Sequence, residues 1–462
     1  MKRNIRFYLA LFVAKITYRV MKLLGRQGTT VPGLLAYYIC PDFLGRMPRP
    51  DMVVGITGTN GKTTVSNMVE DVLDECEYPY TCNREGSNVK TGLISALIAN
   101  SSALGKPRHA LAVFEMDERS APILLPYIKP DLLLCTNIFR DSYKRNAHPE
   151  YILSLLEESI PDATELLLNG DDLLCSSLKE NNKRSFFGIP MQPGEDNRMK
   201  NIACDIRNCP QCGETLEWDF IRYHHIGQAR CPRCGYANPA LDFVITGLDH
   251  ENRRFTLAHD GQTYDFPIIN DTFINIYNSL AAAALLMKMG LAPERIAESM
   301  QKMKISESRY AEKTVGGKNI IMHLAKGQNP IACSRAFENA KDYPGTKSVF
   351  LYIDDIHDAA NSVENISWFY DTDFEFLNDD SIVEILISGA RHHDVYVRLL
   401  LAGVPEEKMM HCREPEEAIE KLRPEKAETV FIIYDLYNIE IAGRVEKRAE
   451  EIILADKQEE QA

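Results

Sequence analysis

The stretch that most constrains the fold begins at residue 52 and reads "MVVGITGTNGKTTVSNMVEDVLDEC". An apolar run turns through closely spaced glycines into a segment with apolar residues at helical spacing. Such a strand–loop–helix unit belongs in a parallel sheet, and its glycines let successive N–H groups face a phosphate at the helix N-terminus. The strict GxxxxGK[ST] template fails, because this chain has Ile56 where the template requires glycine. The sequence therefore predicts a phosphate loop of a variant type.

Within this loop, Lys62 is placed to hold the β- and γ-phosphates of a nucleotide, and Thr63 is placed to bind Mg²⁺. The predicted nucleotide-binding residues are Gly58, Thr59, Asn60, Gly61, Lys62, Thr63 and Thr64.

Strands and helices alternate along much of the chain. "HALAVFEMDE" and "PDLLLCTNIFRD" are further buried-strand candidates, and a second alternation begins near residue 306 with "NIIMHLA", "SVFLYID", "IVEILIS" and "TVFIIYD". This pattern predicts an α/β fold with doubly wound parallel sheets. The expected domains are a basic and apolar helical segment (1–48), a central ATP-binding domain (49–304) and a C-terminal Rossmann-like α/β domain (305–462).

Two Cys-x-x-Cys pairs, separated by eighteen residues, lie inside the expected central domain. Zn²⁺ favours four thiolates in a tetrahedron, so Cys209, Cys212, Cys231 and Cys234 predict a zinc ribbon inserted at 204–240. His224, His225 and Cys204 are spare candidates. A ribbon can also bind nucleic acid, but the net charge of −14 disfavours that role, and we expect the metal to stabilise a small lobe without its own core. The other cysteines are scattered through apolar runs, which indicates reduced thiols in a cytoplasmic protein.

The N-terminal stretch "MKRNIRFYLALFVAKITYRVMKLLGRQG" is both basic and apolar. Lys15 and Arg19 interrupt its apolar core, and it lacks the cleavage site of a signal peptide and the length of a spanning helix. It is either a helix packed on the body of the protein or one that lies on a membrane surface at the inner face. If the helix lies on a membrane, anionic headgroups would attract its basic residues Lys2, Arg3, Arg6, Lys15, Arg19, Lys22 and Arg26.

"GTNGKTT" resembles the ATP loop of the Mur ligases and folylpolyglutamate synthases, which phosphorylate a carboxylate and let an amine attack the acyl phosphate. The resemblance implies that Glu115 of "VFEMDE" binds Mg²⁺, with Asp117 or Glu118 assisting. It also implies that Asn275 and Asn278 of "INIYNSLAAAA" face the nucleotide, although polar residues before an alanine run can simply cap a helix. Other residues with implied roles are Thr136, Asn137 and Asp141 of "TNIFRD" and Arg309 of "SESRY".

The inserted four-cysteine ribbon resembles that of the MurT family, the synthetase subunits of lipid II isoglutaminyl synthase. The stretches "GRQGTTVPGLLAYYICPDFL", "NREGSNVKTGLISAL", "LNGDD", "SWFYDTDFE" and "SGARHHDVYVRLLLAGV" resemble that family as well; in the last, the family pattern S-G-x-R-x-x-D-x-x-x-R matches Arg391, Asp394 and Arg398. The resemblance implies ATP-dependent amidation of the D-glutamate α-carboxylate of lipid II in peptidoglycan biosynthesis. Ammonia would come from a GatD-type glutaminase partner in a heterodimer.

Three segments depart from the family pattern. "FRDSYKRNAHPE" keeps Asp141 but has Lys144 in the place of a second aspartate, and "KGQNPIAC" matches Lys326, Asn329 and Pro330 only around two extra residues. The family's aspartate that completes the partner's Cys–His pair aligns with an asparagine, which orients a histidine but does not stabilise an imidazolium. The candidates for that role are Asp358, Glu364 and Asn365. The alternatives are a Mur-like ligase that joins an amine to another carboxylate, and an ATP-binding paralogue without turnover.

Overall fold

The computed structural model describes residues 2–84, 88–140, 148–303, 310–325, 328–354 and 365–461. The chain divides into two compact units. The N-terminal unit comprises Met1–Phe139, His148–Arg198 and Asp205–Ile305, and the C-terminal unit comprises Arg140–Ala147, Met199–Cys204 and Ser306–Ala462. The domain boundaries expected at 48/49 and 304/305 stay a prediction.

The N-terminal unit is built on a nine-stranded sheet of order β11-β10-β9-β6-β5-β4-β1-β3-β2, with a separate hairpin of β7 and β8. The strands are β1 (Met52–Thr57), β2 (Tyr80–Cys82), β3 (Leu111–Glu115), β4 (Leu132–Cys135), β5 (Glu165–Asn169), β6 (Arg184–Gly188), β7 (Glu217–Tyr223), β8 (Ile226–Arg230), β9 (Phe243–Asp249), β10 (Arg254–His259) and β11 (Gln262–Pro267).

Helices cover this sheet. They are α1 (Ile5–Leu23), α2 (Val31–Ile39), α3 (Phe43–Arg46), α4 (Lys62–Glu75), α5 (Lys90–Ala99), α6 (Ala121–Ile128), α7 (Pro149–Ser159), α8 (Leu173–Ser176), α9 (Phe273–Lys288) and α10 (Pro293–Lys302). Within the nine-stranded sheet, the strands β9, β6, β5, β4, β1, β3 and β2 are parallel to their neighbours. Strands β1, β3 and β4 are continuous apolar runs because both faces of the sheet are buried. The stretch 240–268 alternates in the sequence in the way that predicts a hairpin. The structure adds a third strand there, so that β9, β10 and β11 form an antiparallel extension of the sheet.

Helix α1 packs on the body through only one of its faces. Asn4 caps its N-terminus by accepting a hydrogen bond from the Phe7 amide at 2.9 Å, and its buried face lies against α2 and α5. Lys15 turns toward α5, where its ammonium donates to the carbonyls of Ile98 at 2.9 Å and Ser101 at 2.8 Å. The expectation that Lys15 belongs to a basic set facing outward is therefore wrong. The outer face of α1 exposes the apolar residues Ile5, Leu9, Phe12, Ile16, Val20 and Leu23.

The C-terminal unit has a six-stranded sheet of order β12-β13-β17-β14-β15-β16, parallel except for the pair β12–β13. Its elements are β12 (Tyr310–Val315), β13 (Lys318–Leu324), α11 (Pro330–Asp342), β14 (Lys347–Tyr352), β15 (Ile382–Ser388), α12 (His392–Leu401), β16 (Met409–Cys412), α13 (Pro415–Ile419), β17 (Thr429–Tyr434) and α14 (Ile439–Gln461). Together the two sheets confirm the predicted α/β fold class. Across the part of the chain that is described, the structure contains no helix long and apolar enough to cross a membrane.

Candidate functional site

The candidate site lies at the carboxyl ends of the central strands of the N-terminal unit. Strand β1 lies between β3 and β4, with Ile56 opposite Glu115 and Leu134 in the register. The phosphate loop leaves the end of β1, Glu115 is the last residue of β3, and Thr136 follows β4. Carboxyl ends of neighbouring parallel strands meet at one edge, where open α/β sheets bind their ligands.

The loop after β4 holds the phosphate loop in shape. The amide of Thr59 donates to the carbonyl of Asn137 at 2.9 Å, and the amide of Asn60 donates to the Asn137 side-chain oxygen at 2.9 Å. The Thr136 hydroxyl donates to the Asn60 carbonyl at 2.7 Å. Thr136 and Asn137, which the resemblance placed near the nucleotide, therefore support the backbone of the loop.

Two glycines permit the tight course of this loop. Gly58 has φ of 121°, and a Cβ there would collide with the Thr136 hydroxyl oxygen. Gly61 has φ of 85° at the start of α4, and a Cβ there would collide with the side-chain oxygen of Asn278. Asn278 thus reaches the loop from α9 and also donates to Asn275 at 3.4 Å. The structure therefore brings Asn278 to the phosphate loop, with Asn275 hydrogen-bonded to it from the preceding turn of α9.

Lys62 lies folded against its own loop. Its ammonium donates to Glu118 Oε2 at 2.8 Å, to the Thr59 carbonyl at 3.4 Å and to the Gly58 carbonyl. Burial alone would lower the pKa of Lys62, but attraction to Glu118, with Asp117 and Glu115 behind it, outweighs burial and raises that pKa. The lysine is a buried cation held by a carboxylate that a phosphate group could replace.

Thr63 and Glu115 meet beside the loop. The Thr63 hydroxyl donates to Glu115 Oε1 at 3.0 Å, and the Asn88 amide donates to the same oxygen at 3.0 Å. Asn83 exchanges two hydrogen bonds with the Glu115 backbone, at 2.9 and 3.0 Å. A hydroxyl and a carboxylate are the hard oxygen ligands that Mg²⁺ prefers, so this donor set fits that ion. Asn83 and Asn88 were not predicted to have a role at the site; the signal was their stretch NREGSNVKTGLISAL, which begins directly after β2.

The four ribbon cysteines come together around one point. Their sulfur atoms all lie within 4.8 Å of one another, with 3.5 Å from Cys209 to Cys234 and 3.4 Å from Cys212 to Cys231. Zn–S bonds of about 2.3 Å in a tetrahedron place sulfurs roughly 3.8 Å apart, which these distances approach. Each knuckle closes in the same kind of turn. The Gly213 amide donates to the Cys209 carbonyl in the first, and the Gly235 amide donates to the Cys231 carbonyl in the second. The residues fit a zinc ion.

The spare ribbon candidates have other neighbours. His225 lies buried between Asp172, with 3.4 Å from Nε2 to Oδ1, and Asp205, with 3.9 Å from Nδ1 to Oδ2. Burial would lower the pKa of His225, but the two carboxylates raise it. His224 is buried at the hairpin turn and, like Cys204, lies outside the cysteine cluster.

A buried ionic network connects the ribbon hairpin to helix α9. The Arg222 guanidinium on β7 lies 2.6 Å from Glu195 and 3.8 Å from Asp171, and it also donates to the Tyr277 hydroxyl. Tyr277 in turn donates to Asp171 Oδ2 at 2.6 Å. Burial raises the pKa of Asp171 to about 6, despite these hydrogen bonds and the charge of Arg222. Tyr277 lies on α9 next to Asn278, which reaches the phosphate loop, so the network links the ribbon hairpin to the candidate site.

In the C-terminal unit, the Asn365 side-chain oxygen accepts a hydrogen bond from the amide of Ser367, the first residue of a short 3₁₀ turn, at 2.8 Å. Arg398 is buried and holds the carbonyls of Phe369 and Thr372, each at 2.9 Å, so its role is structural. Asn329 caps α11. The remaining predicted positions lie outside the described residues: Asp141, Lys144, Arg309, Lys326, Asp358 and Glu364.

Solved structures with a similar fold include a pseudomurein peptide ligase and a Mur ligase. A pseudomurein peptide ligase type C from Methanothermus fervidus superposes with a TM-score of 0.63 at 21% identity, covering 90% of this chain and 80% of that chain. MurF from Acinetobacter baumannii superposes with a TM-score of 0.55 at 14% identity, over 93% of this chain and 80% of its own. The fold is therefore that of the Mur ligases.

Relatives found by sequence identify a smaller group within the Mur ligases. The lipid II isoglutaminyl synthase (glutamine-hydrolysing) subunit MurT of Staphylococcus aureus strain COL is 31% identical over 402 residues, 86% of this chain and 89% of its own length. The same subunit of Streptococcus pneumoniae strain R6 is 31% identical over 439 residues, 93% of this chain and 94% of its own. A family model described as MurT ligase C-terminal matches residues 326–437.

The chain belongs to the MurT family. It is an ATP-dependent ligase of the Mur class, whose members use ATP and Mg²⁺. The resemblance and the enzyme class predicted from the sequence are confirmed.

Proposed function

We propose that this chain amidates the D-glutamate α-carboxylate of the lipid II stem peptide to D-isoglutamine through an acyl phosphate, with ammonia released by a glutaminase partner. The observation that carries the proposal is the contact of Thr63 with Glu115 beside a phosphate loop held by Asn137. This arrangement occurs in a chain that shares 31% identity with MurT subunits over nearly their full length.

Lys62 is proposed to hold the γ-phosphoryl group during transfer. In the structure, the Lys62 ammonium donates hydrogen bonds to Glu118 and to carbonyls of its own loop. A phosphate oxygen can displace Glu118 from the ammonium, because both are anions and the raised pKa keeps Lys62 charged. The cation then offsets negative charge that develops on the phosphoryl oxygens in the transition state.

Thr63 and Glu115 are proposed to hold Mg²⁺, which would offset the negative charge of the nucleotide phosphates when bound. Asn88 and Asn83 orient the Glu115 carboxylate and its backbone. Asn275, Asn278 and Arg309 are proposed to contact the nucleotide, together with the remaining residues of the loop. Residues that contact the nucleotide contribute to catalysis mainly by positioning. They hold the γ-phosphate in line with the carboxylate, which replaces a bimolecular encounter in solution.

Zinc is proposed as a structural ion bound by Cys209, Cys212, Cys231 and Cys234. All four positions of a tetrahedral ion would be filled by thiolates, which is typical of structural rather than catalytic zinc. Its proposed effect on the reaction is indirect, through the Arg222 network that connects the ribbon hairpin to α9.

The proposed partner is a GatD-type glutamine amidotransferase subunit in a heterodimer, and the proposed location is cytoplasmic. One of Asp358, Glu364 and Asn365 is proposed to orient the histidine of the partner's Cys–His pair. The Asn365 side-chain oxygen already accepts a hydrogen bond from the Ser367 amide. A carboxylate would in addition stabilise the imidazolium, which an amide does not.

Helix α1 is proposed to touch the inner membrane face, where a lipid-linked substrate is presented. Its exposed apolar stripe includes Phe12, 65% exposed, and basic residues at both helix ends face solvent in a chain of net charge −14. Phe12→Ser should weaken binding to phosphatidylglycerol vesicles, measured by sedimentation, about tenfold. The variant loses the free energy of burying one aromatic side chain in the membrane surface. Leu401→Ser is the matched control, because Leu401 is 66% exposed but lies in the C-terminal unit. Equal sedimentation of the two variants would contradict the membrane contact.

The decisive experiment is an amidation assay with purified chain, lipid II, ATP, Mg²⁺ and ammonium chloride, read by mass spectrometry. Free ammonia bypasses the partner, so the choice among Asp358, Glu364 and Asn365 does not affect the result. We expect conversion of the glutamate carboxylate to the amide, lost in Lys62→Ala and in Thr63→Ala but retained in Thr63→Ser, which keeps the hydroxyl.

The absence of an amide from lipid II would overturn the assignment. If ATP were then hydrolysed with another carboxylate and amine, the chain would be a Mur-like ligase of different specificity. If ATP were bound and no phosphate were released with any acceptor, it would be a paralogue without turnover.

A further inference from the structure

Three histidines of the C-terminal unit lie together, two at the start of α12 and one on β16. One ring nitrogen from each of His392, His393 and His411 lies within 4.8 Å of the other two. The Nδ1 atoms of His392 and His411 are 3.0 Å apart, and the centroids of the His393 ring and the other two rings are 4.0 and 5.0 Å apart. His392 and His411 are half-buried, and His393 is exposed. We propose that these three imidazoles bind one first-row transition metal ion.

The fold holds the three residues at a fixed place. His411 lies on β16 opposite Ile387 of β15, so it is at the carboxyl edge of two neighbouring parallel strands. His392 and His393 begin α12, just after the turn that leaves β15. Metal ligands on rigid strands and helices keep their geometry better than ligands on loops.

The turn between β15 and α12 is itself tightly held. Asp354 accepts hydrogen bonds from the amides of Ala390 and Arg391. Gly389 has φ of +109°, and a Cβ there would collide with the Asp354 carboxylate. The Gly389 amide also donates to the Arg413 carbonyl at 3.0 Å, which ties this turn to the residues after β16. The backbone on both sides of the cluster is therefore anchored.

The donor set selects a class of ion. Metal–nitrogen bonds of about 2.0–2.1 Å place two ligand nitrogens roughly 3.0–3.4 Å apart, and the His392–His411 separation of 3.0 Å falls in this range. Imidazole suits Zn²⁺, Ni²⁺, Cu²⁺ and Fe²⁺ and not Mg²⁺ or Ca²⁺. Cys412 is the next residue on β16, so it points to the opposite face of the strand and leaves an all-nitrogen set.

A hydrogen bond between two imidazoles is the competing explanation. It accounts for His392 and His411 but not for the third ring, whose centroid lies 4.0 Å from that of His392. Three imidazoles leave coordination positions open to solvent, because the exposed His393 forms the outer side of the cluster. The site would join the start of α12 to the edge strand β16.

The probe is Ni²⁺, added to full-length protein from which any histidine tag has been removed and whose zinc content is first measured. Binding is followed by isothermal titration calorimetry, and nickel and zinc per chain are counted by mass spectrometry after gel filtration. We expect one nickel per chain without loss of zinc, since the ribbon offers thiolates and Ni²⁺ would have to displace zinc to occupy it.

His393→Ala is the first variant, because its exposed ring can be removed with little effect on folding. It should weaken nickel binding at least tenfold, and His411→Ala should abolish it. His250→Ala is the matched control, an exposed histidine of the N-terminal unit paired with Asp271 at 3.6 Å, and its affinity should equal that of the unmodified chain. Circular dichroism without metal establishes that each variant is folded.

Three outcomes would overturn the proposal. One is no nickel bound beyond what displaces zinc. Another is binding that persists in His411→Ala. The third is binding lost in His411→Ala but unchanged in His393→Ala, since a site of three imidazoles needs both.

Discussion

Arg222→Met tests whether the buried network stabilises the N-terminal unit. The Arg222 side chain is 1% exposed, and it neutralises Glu195 at 2.6 Å and Asp171 at 3.8 Å. Methionine keeps most of the volume but leaves Asp171, whose side chain is 0% exposed, without a cation. Removing one partner of a buried ion pair costs about 3–5 kcal/mol, since it strands a charge in a medium that cannot solvate it.

The stability that Arg222→Met loses should depend on pH. The pKa of Asp171 is raised from 3.8 to about 6, so between these values the folded state binds a proton that the unfolded state has released. Stability therefore falls as the pH rises through this window, by about 3 kcal/mol for a shift of about two pKa units. Without Arg222 the pKa of Asp171 rises further and the fall extends to higher pH. We expect the cost of Arg222→Met to be larger at pH 8 than at pH 5.

The assay is urea unfolding followed by tryptophan fluorescence in a Trp368→Phe background. The remaining tryptophan, Trp218, lies on β7 in the same hairpin as Arg222. The matched control is Arg230→Met on β8, because the Arg230 side chain is 64% exposed and 3.5 Å from Glu217. An exposed pair of this kind contributes about 0–1 kcal/mol.

Adding Asp171→Asn to Arg222→Met should restore at least about 2 kcal/mol at pH 8, because the stranded charge is gone. The reasoning is refuted if Arg222→Met costs no more than Arg230→Met, or if its cost is the same at pH 5 and pH 8. Either result would mean that water or rearrangement solvates Asp171 without the guanidinium.

Three further predictions concern the site, the ribbon and helix α4. Asn88→Ala should lower amidation about 10–100-fold and raise the Mg²⁺ concentration needed for half-maximal rate, since Asn88 orients Glu115; an unchanged Mg²⁺ dependence would contradict this role. Cys234→Ser should lower bound zinc, counted by mass spectrometry, and the melting temperature, while Cys412→Ser should change neither; full zinc content in Cys234→Ser would refute a four-thiolate site. Burial raises the pKa of Glu70 from 4.5 to about 7, so its ionisation lowers stability as the pH rises through that window. Glu70→Gln lacks this decline and should be more stable than the natural chain at pH 8, by up to about 3 kcal/mol in urea unfolding, with little difference at pH 4.5.

The sequence by itself determined the features that depend on neighbouring residues. Apolar runs bounded by turns predicted the central strands, since both faces of a parallel sheet are buried. The loop from Gly58 to Thr64 carries its own glycines, and the ribbon carries four cysteines at short spacing. Each of these signals lies within a few residues, so no knowledge of distant contacts is needed to find it.

Only the tertiary structure decided which distant residues meet. Asn88 reaches Glu115, Glu118 reaches Lys62, and Arg222 reaches Tyr277 across 55 positions of sequence. Lys15 looks like a surface cation in the sequence, yet it turns inward and donates to the carbonyls of Ile98 and Ser101 at the end of α5. His411 is nineteen residues from His392 and becomes its neighbour because parallel strands β15 and β16 end at the same edge. These contacts arise from strand order and register, which local periodicity does not encode.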